Sequence, residues 1–342
     1  MRQHLMLDLD TGIDDSLALV YLLASPEASI RGIAATGGNV STAQVAANTL
    51  AWLDVCHAGE IPVAMGAQNP LVGELATSEE THGPHGVGYA ELPATSRALS
   101  DVSAAVLWVE LARKHDGHLV GLVTGPMTNL ALALEIEPNL PRMLKQLVIM
   151  GGAFNHPGNT TPTTEWNVAV DPEAAKRVFD AFGNADNLPI VCGLDLTERI
   201  IMRPEHATRL AEAAGVAGER ICADDPLGER SLASNLVIRH LLNAIRFYME
   251  FHRAYDQGFL AHMHDPFAAA VALNPQWAKT RLATLDVELV GTLTRGTTVA
   301  DWMGMWGREP NVNIAVDTDP DAFMDHLITR VGEFARNLAP QS

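Results

Sequence analysis

The sequence predicts an α/β fold with a doubly wound, mostly parallel open sheet flanked by helices, as in Rossmann-like proteins. Strand-like apolar runs alternate with helix-like segments along most of the chain, which is typical of parallel sheets. Polar, glycine-rich segments follow several of the predicted strands. The 342 residues are 47% hydrophobic, which is enough to bury a large core.

The first unit is a strand at 5–9, apolar except for Asp8, followed by a helix at 16–23. Alternation continues through strand 29–35, helix 41–58, strand 61–65, helix 101–116, strand 118–123, helix 127–137, strand 146–150, helix 172–182 and strand 189–192. Residues 198–262 are long, locally charged and helical, and we interpret them as a helical excursion from the sheet. The chain returns through helix 265–274, strands 281–290 and 312–316, and helix 320–337. No segment resembles a linker or a repeat, and a chain of this length forms one or two domains.

Composition excludes several classes of function. The formal net charge of −18 repels nucleic acids and anionic membranes, so we expect neither as a partner. No apolar run reaches the roughly 18 residues that span a membrane, and the N-terminus lacks the pattern of a signal peptide. The cysteines at 56, 192 and 222 are far apart and indicate a reducing compartment. We therefore expect a cytoplasmic protein.

Four carboxylates lie in the segment 8–15, Asp-Leu-Asp-Thr-Gly-Ile-Asp-Asp, at the end of the first strand. Because side chains alternate along a strand, Asp8 and Asp10 are predicted to point the same way. Two like charges about 4 Å apart repel by roughly 4 kcal/mol at an effective dielectric near 20, and a cation would relieve that cost. Helix capping explains Asp14 or Asp15 but leaves a charge inside an apolar strand. Oxygen ligands of this number suit calcium or magnesium.

Further polar segments follow other predicted strands. They are Thr-Gly-Gly-Asn at 36–39, Thr-Gly-Pro-Met-Thr-Asn at 124–129 and Met-Gly-Gly-Ala at 150–153. Ligands bind beyond the carboxyl ends of the strands in open α/β sheets, and glycines let the backbone approach a ligand closely. We therefore expect these segments to meet Asp10 at one edge of the sheet.

Together these segments resemble the inosine–uridine-preferring nucleoside hydrolases. The resemblance begins with the aspartates of 8–15 and continues in the family's order through 37–39, 124–129, 150–152, Asn159, 165–167, 171–174 and 264–266. It covers nearly the whole chain and implies a single nucleoside hydrolase-like domain over 1–342, with the excursion 198–262 bordering the active site. One departure is Glu198, which stands where the family often has histidine.

The resemblance also implies roles for individual residues. Calcium ligands are implied at Asp8, Asp10, Asp15 and Asp265, with the backbone carbonyl of Thr124. Asp10 also matches the general base, and His264 matches the residue that protonates the leaving base. Residues that hold the ribose are implied at Asp14, Asn39, Asn159, Glu165 and Asn167, and His82 matches a loop that closes over the site.

The implied activity is calcium-dependent hydrolysis of the N-glycosidic bond of ribonucleosides, giving ribose and free base for salvage. Asp10 would activate a metal-bound water, because calcium polarises water too weakly to act alone. The ribose 2′ and 3′ hydroxyls could complete the calcium shell, which would favour ribosides over deoxyribosides. Histidine's ordinary pKa of about 6.5 suits an acid for the leaving base. The family further implies a homodimer or homotetramer.

Other classes of protein explain the aspartates less well. A magnesium-dependent phosphatase of the haloacid dehalogenase type begins Asp-x-Asp-x-Thr, but here Gly12 takes the position of the threonine. An EF-hand loop counted from Asp8 would have glycine fifth and Leu19 twelfth, which fails the pattern. A catalytically silent nucleoside-binding protein stays open. The sequence does not specify the preferred base or its contacts, for which Tyr248 and His252 are candidates.

Overall fold

The computed structural model describes residues 2–338. Its strands are β1 (Gln3–Leu9), β2 (Ala28–Ala35), β3 (Val63–Met65), β4 (Leu119–Val123), β5 (Leu144–Met150), β6 (Ile190–Cys192), β7 (Ile201–Met202), β8 (Ala261–His262), β9 (Lys279–Val287), β10 (Thr298–Asp301) and β11 (Val312–Asp317). Nine of them form one sheet in the order β10-β9-β11-β6-β5-β4-β1-β2-β3. Strands from β11 to β3 run parallel to their neighbours, whereas β9 runs antiparallel to β11 and β10. The short strands β7 and β8 form a separate antiparallel pair.

Helices cover both faces of the sheet. They are α1 (Ile13–Leu23), α2 (Thr42–Val55), α3 (Glu79–His82), α4 (Ala104–Lys114), α5 (Thr128–Ile136), α6 (Leu140–Met143), α7 (Trp166–Val170), α8 (Pro172–Phe182), α9 (Leu194–Thr197), α10 (Pro204–Ala213), α11 (Leu236–Ala254), α12 (His264–Leu273) and α13 (Pro320–Leu338). One core layer packs α1, α11, α12 and α13 together, and a second packs α4, α5 and α8 on the opposite face. The predicted fold class is confirmed.

Strand β1 lies inside the sheet, between β2 and β4. Its residues 5–9 are buried, as expected for a parallel strand covered by helices on both faces. The chain leaves this strand at Asp10 and enters α1 at Ile13. The acidic segment therefore lies at the carboxyl edge of the sheet, next to the ends of β2 and β4.

The long excursion at 198–262 is helical only in part. Helices α10 and α11 occupy its flanks, but residues 214–235 contain neither helix nor strand. Several of their backbone groups bond instead to side chains of α11, as described below. Strand β10 was not predicted, since four residues that include a threonine and an aspartate carry little strand signal. Within residues 2–338, no helix combines the length and apolar character needed to cross a membrane.

Candidate active site

A cavity of about 300 Å³ opens at the carboxyl ends of the central strands. Its wall contains most of the residues that the sequence singled out, although they come from segments up to 255 positions apart. They are Asp10, Asp14, Asn39, His82, Thr124, Asn159, Glu165, Asn167, His264 and Asp265. Asp15 is fully buried directly beside them, in contact with Asp10 and Asp265.

Acidic side chains are clustered at this cavity. Asp14, Asp15 and Asp265 are buried, and each has a carboxylate oxygen within 4.8 Å of the other two. Asp10 adds a fourth carboxyl that shares a hydrogen bond with Asp15. Burial and the neighbouring acids raise the pKa of Asp10 and Asp265 well above their ordinary values, and that of Asp14 to about 7. A bound cation would remove this strain.

Local backbone geometry explains why these acids converge. Asp15 caps the first turn of α1, where its Oδ2 accepts the Gly12 N–H at 2.9 Å. Asp265 lies in the first turn of α12, which packs against α1. Both helices thus direct their positive N-terminal ends toward the cluster. Gly38 allows Asp10 to approach, since a Cβ at residue 38 would lie 2.2 Å from Oδ2 of Asp10.

The donor set fits a hard divalent cation. Besides the carboxylates, the Thr124 backbone carbonyl faces the site and accepts a hydrogen bond from Nδ2 of Asn167 at 2.7 Å. The Thr124 hydroxyl donates to Asp15 Oδ1 at 2.7 Å and fixes that carboxylate. Every candidate ligand atom is an oxygen, which calcium and magnesium prefer.

The structure does not bring Asp8 into this cluster, contrary to our expectation. The carboxylate of Asp8 accepts hydrogen bonds from the Thr36 hydroxyl, from Trp108 Nε1 at 2.8 Å and from Asn129 Nδ2 at 3.0 Å. These donors compensate its burial, although its pKa is still raised to about 6. Asp8 therefore joins β1 to the end of β2 and to helices α4 and α5 through hydrogen bonds, and its geometry offers no support for a metal ligand.

Amide and carboxylate side chains line the middle of the cavity. Asn39 donates from its backbone N–H to Asp10 Oδ2 at 3.0 Å and from Nδ2 to Asp15 Oδ2 at 3.3 Å. Glu165 accepts backbone N–H groups of Gly152 at 3.0 Å and Val168 at 3.1 Å, so it also fixes the segment between β5 and α7. Asn159 lies on the same segment, where its Oδ1 accepts the Trp166 N–H at 2.9 Å.

Five aromatic rings form a continuous row along the cavity wall. His82, Tyr248, His252, His262 and His264 follow one another with centroid separations between 4.4 and 5.6 Å. Burial lowers the pKa of His252 to about 4, that of His262 to about 3, and that of His264 well below its ordinary value. These imidazoles are therefore neutral near pH 7. The lowered pKa of His264 differs from the ordinary histidine pKa that the sequence analysis assumed for it.

Two contacts orient the histidines that the sequence singled out. The Thr197 hydroxyl lies 2.7 Å from Nδ1 of His264, and the Ile13 N–H donates to Nδ1 of His82 at 3.1 Å. Sequence reasoning did not assign His262 or Glu198, which also line the cavity. The pattern His262-x-His264 was the available signal, because residues two apart in an extended segment share a face.

Comparison with known proteins agrees with this geometry. Residues 5–325 match the family model described as "Inosine-uridine preferring nucleoside hydrolase". A pyrimidine-specific ribonucleoside hydrolase, RihA, from Enterobacter sp. (strain 638) is 35% identical over 98% of this chain and 99% of its own length. The solved purine-preferring ribonucleoside hydrolase from Gardnerella vaginalis is 30% identical, with a TM-score of 0.85 over 98% of this chain and all of its own. A plant nucleoside hydrolase is 26% identical, with a TM-score of 0.86 over 97% and 99% of the two chains.

These matches confirm the resemblance found in the sequence and exclude the haloacid dehalogenase-type alternative. The acids and the aromatic wall lie within the matched range. The chain belongs to the inosine–uridine-preferring nucleoside hydrolase family, and it is an enzyme that hydrolyses the N-glycosidic bond of ribonucleosides.

Proposed function

We propose that this hydrolase depends on calcium, that Asp10 is the general base, and that His264 assists departure of the nucleobase. The buried acidic cluster carries the proposal, because four carboxyls from two helix ends and one strand end meet in one place. Asp10, Asp15, Asp265 and the Thr124 carbonyl would hold the ion. When bound, calcium would position and polarise the attacking water.

Asp10 is suited to remove a proton from that water. It lies on the cavity wall, and its Oδ2 is held by the Asn39 N–H at 3.0 Å. This contact fixes one oxygen, and the carboxyl also shares a hydrogen bond with Asp15 of the cluster. The surrounding negative charge also favours the cationic sugar of an oxocarbenium-like transition state.

His264 lines the same cavity as Asp10. When the Thr197 hydroxyl donates to Nδ1, the ring proton resides on Nε2. A neutral imidazole then donates a hydrogen bond to the negative charge that develops on the departing base. This role agrees with the low pKa that burial and the neighbouring His262 give to His264.

Several other residues of the cavity wall suit a ribose. Asp14, Asn39, Asn159, Glu165 and Asn167 offer acceptors and amide donors along the cavity, and vicinal hydroxyls need both. His82 closes the site beside Tyr248, with ring centroids 5.6 Å apart. The relatives' names include both pyrimidine-specific and purine-preferring enzymes, so the proposed substrate class is ribonucleosides of either kind. A homodimer or homotetramer and a cytoplasmic location stay predictions.

Release of sugar from purine and pyrimidine ribosides and deoxyribosides, with and without a chelator, tests the substrate and metal assignments. We expect ribosides to be cleaved faster than deoxyribosides, and chelation to abolish turnover until calcium is restored. Turnover that survives exhaustive chelation would contradict the calcium requirement. Magnesium that restores full activity while calcium does not would contradict the choice of ion.

Two variants test the catalytic assignments. Asp10→Asn should keep the fold but lose at least about 100-fold in kcat, while Asp180→Asn, exposed on α8, should match the parent enzyme. His264→Ala should slow natural ribonucleosides far more than a nitrophenyl riboside, whose leaving group needs no assistance. Near-parental kcat in Asp10→Asn, or equal slowing of both substrates in His264→Ala, would remove the respective role.

A further inference from the structure

Helix α11 has a polar stripe on the face that points away from the cavity. Successive members are spaced four, three, four and three residues apart, so they share one side of the helix. They are Arg239, Asn243, Arg246, Glu250 and Arg253. With about 3.6 residues per turn, Tyr248 and His252 lie on the opposite face, where they line the cavity.

Each member of the stripe binds the irregular segment 223–233, which we call the strap. The strap starts near Arg253 and ends near Arg239, so its overall direction is opposite to that of α11. The contacts are Arg253 Nη1 to Ala223 O at 2.6 Å, Arg246 Nη2 to Pro226 O at 3.0 Å, Gly228 N–H to Glu250 at 3.2 Å, Ser231 N–H to Asn243 Oδ1 at 2.7 Å, and Arg239 Nε to Ala233 O at 2.7 Å. Side chains of the helix thus replace the backbone partners that the strap lacks.

Arg246 and Glu250 form the buried centre of these contacts. Their side chains are 4% and 6% exposed, and Arg246 Nε lies 2.8 Å from Glu250 Oε1. Ions this deeply buried need several partners, and Glu250 has a third in the Tyr89 hydroxyl, which donates to Oε2 at 2.7 Å. Arg230 of the strap lies 3.6 Å above the centre of the Tyr89 ring. Tyr89 is therefore held by the helix and the strap together.

Tyr89 lies near the end of the short loop 82–90, which starts from His82, the last residue of α3. Inside this loop the Gly88 N–H donates to the His82 carbonyl at 2.7 Å. Gly88 also packs on α11, since a Cβ there would lie 2.7 Å from Cβ of Phe247. The loop is thus fixed at one end in the active site, where His82 accepts the Ile13 N–H, and at the other end by Glu250.

We propose that Glu250 and Tyr89 are positioning residues for substrate binding, which hold the loop 82–90 so that His82 and Tyr248 face the sugar site together. This inference rests on the proposed contact between His82 and the substrate. Neither Glu250 nor Tyr89 lines the cavity, so both act through the loop and α11. When the hydrogen bond between them is lost, the fraction of molecules with His82 in place falls, and the apparent affinity falls by the same factor.

Tyr89→Phe removes the hydroxyl and keeps the ring that packs on Arg230 and Phe247. We expect KM for a cleaved ribonucleoside to rise about tenfold with kcat nearly unchanged, as for loss of one charge-assisted hydrogen bond. Glu250→Gln should raise KM similarly and add little to Tyr89→Phe in the double variant. Tyr21→Phe is the matched control, because its hydroxyl lies 3.1 Å from His326 Nε2, outside the cavity wall.

Amide hydrogen exchange separates this inference from the proposed function. Residues 83–90 and 223–231 should exchange faster in Tyr89→Phe than in the parent or in Tyr21→Phe. Unchanged exchange, or a KM no different from that of Tyr21→Phe, overturns the positioning role. An unchanged KM in His82→Ala instead overturns the contact between His82 and the substrate.

Discussion

Removal of the divalent ion should destabilise the folded enzyme by several kcal/mol, and the acidic cluster sets the magnitude. Two unit charges no more than 4.8 Å apart repel by at least about 3 kcal/mol at an effective dielectric near 20. Burial first, and the charge of Asp15 second, raise the pKa of Asp14 from 3.8 to about 7, which corresponds to a cost of ionisation of about 4 kcal/mol at about 1.4 kcal/mol per pH unit. We therefore expect calcium to add about 4 kcal/mol at pH 8, where the cluster is charged.

Thermal unfolding with chelator and with calcium measures this contribution. With about 2.1 cal/mol/K of unfolding entropy per residue and 342 residues, the expected rise in Tm is about 6 °C at saturating calcium. Asp15→Asn should abolish most of this rise, because it removes both a ligand and a repelling charge. Repeating the thermal scans at several heating rates checks that the two Tm values are equilibrium values.

The pH dependence of the stabilisation by calcium tests this account, because the account predicts the direction of the change. Without the ion, the pKa of Asp14 is higher in the folded protein, at about 7, than in the unfolded chain, so the folded state binds more protons between pH 4 and pH 7. Stability of the ion-free enzyme must then fall as pH rises through that window. The rise in Tm on adding calcium should accordingly be larger at pH 8 than at pH 5. An equal rise at both pH values, or none at either, would refute this account of the cluster.

Three further predictions follow from the described contacts. Asp8→Asn should leave calcium affinity within about twofold in titration calorimetry, whereas Asp15→Asn should weaken it at least tenfold; equal losses would restore Asp8 as a ligand. Gly38→Ala should lower kcat more than tenfold, because its Cβ would collide with the proposed base, while Gly59→Ala, with open space around it, should not. Only Cys222 should react rapidly with a thiol reagent at pH 8, since burial raises the pKa of the other two thiols to about 12; fast labelling of three thiols in folded enzyme would contradict this.

Sequence periodicity predicted the parallel part of the sheet well because each of its strands is an apolar run followed by a helix. It failed where tertiary contacts replace periodicity. Strand β10 has only four residues and is defined by its pairing with β9. The segment 214–235 was assigned to a helical excursion, yet its structure depends on bonds to α11 that no local pattern reveals.

The candidate site shows the same limit at the level of single residues. Alternation along β1 predicts the face on which Asp8 lies, but the donors Trp108 and Asn129 that surround it come from distant segments. Tyr248 and His252 were uncertain because the sequence does not tell which face of α11 meets the cavity. Asp265 was assigned correctly to the neighbourhood of Asp14 only through the family resemblance, since 250 residues separate them.

The long stretch of sequence between the aspartates of α1 and Asp265 of α12 has a consequence for synthesis of the enzyme. Helix α1 leaves the ribosome early, but its partner α12 begins only at His264. Until α12 docks, a nascent chain lacks one wall of the pocket and one of the acids that would hold the ion. Because the proposed site needs α12, we expect catalytic competence to arrive late in translation, and a polypeptide truncated before residue 264 to lack hydrolase activity.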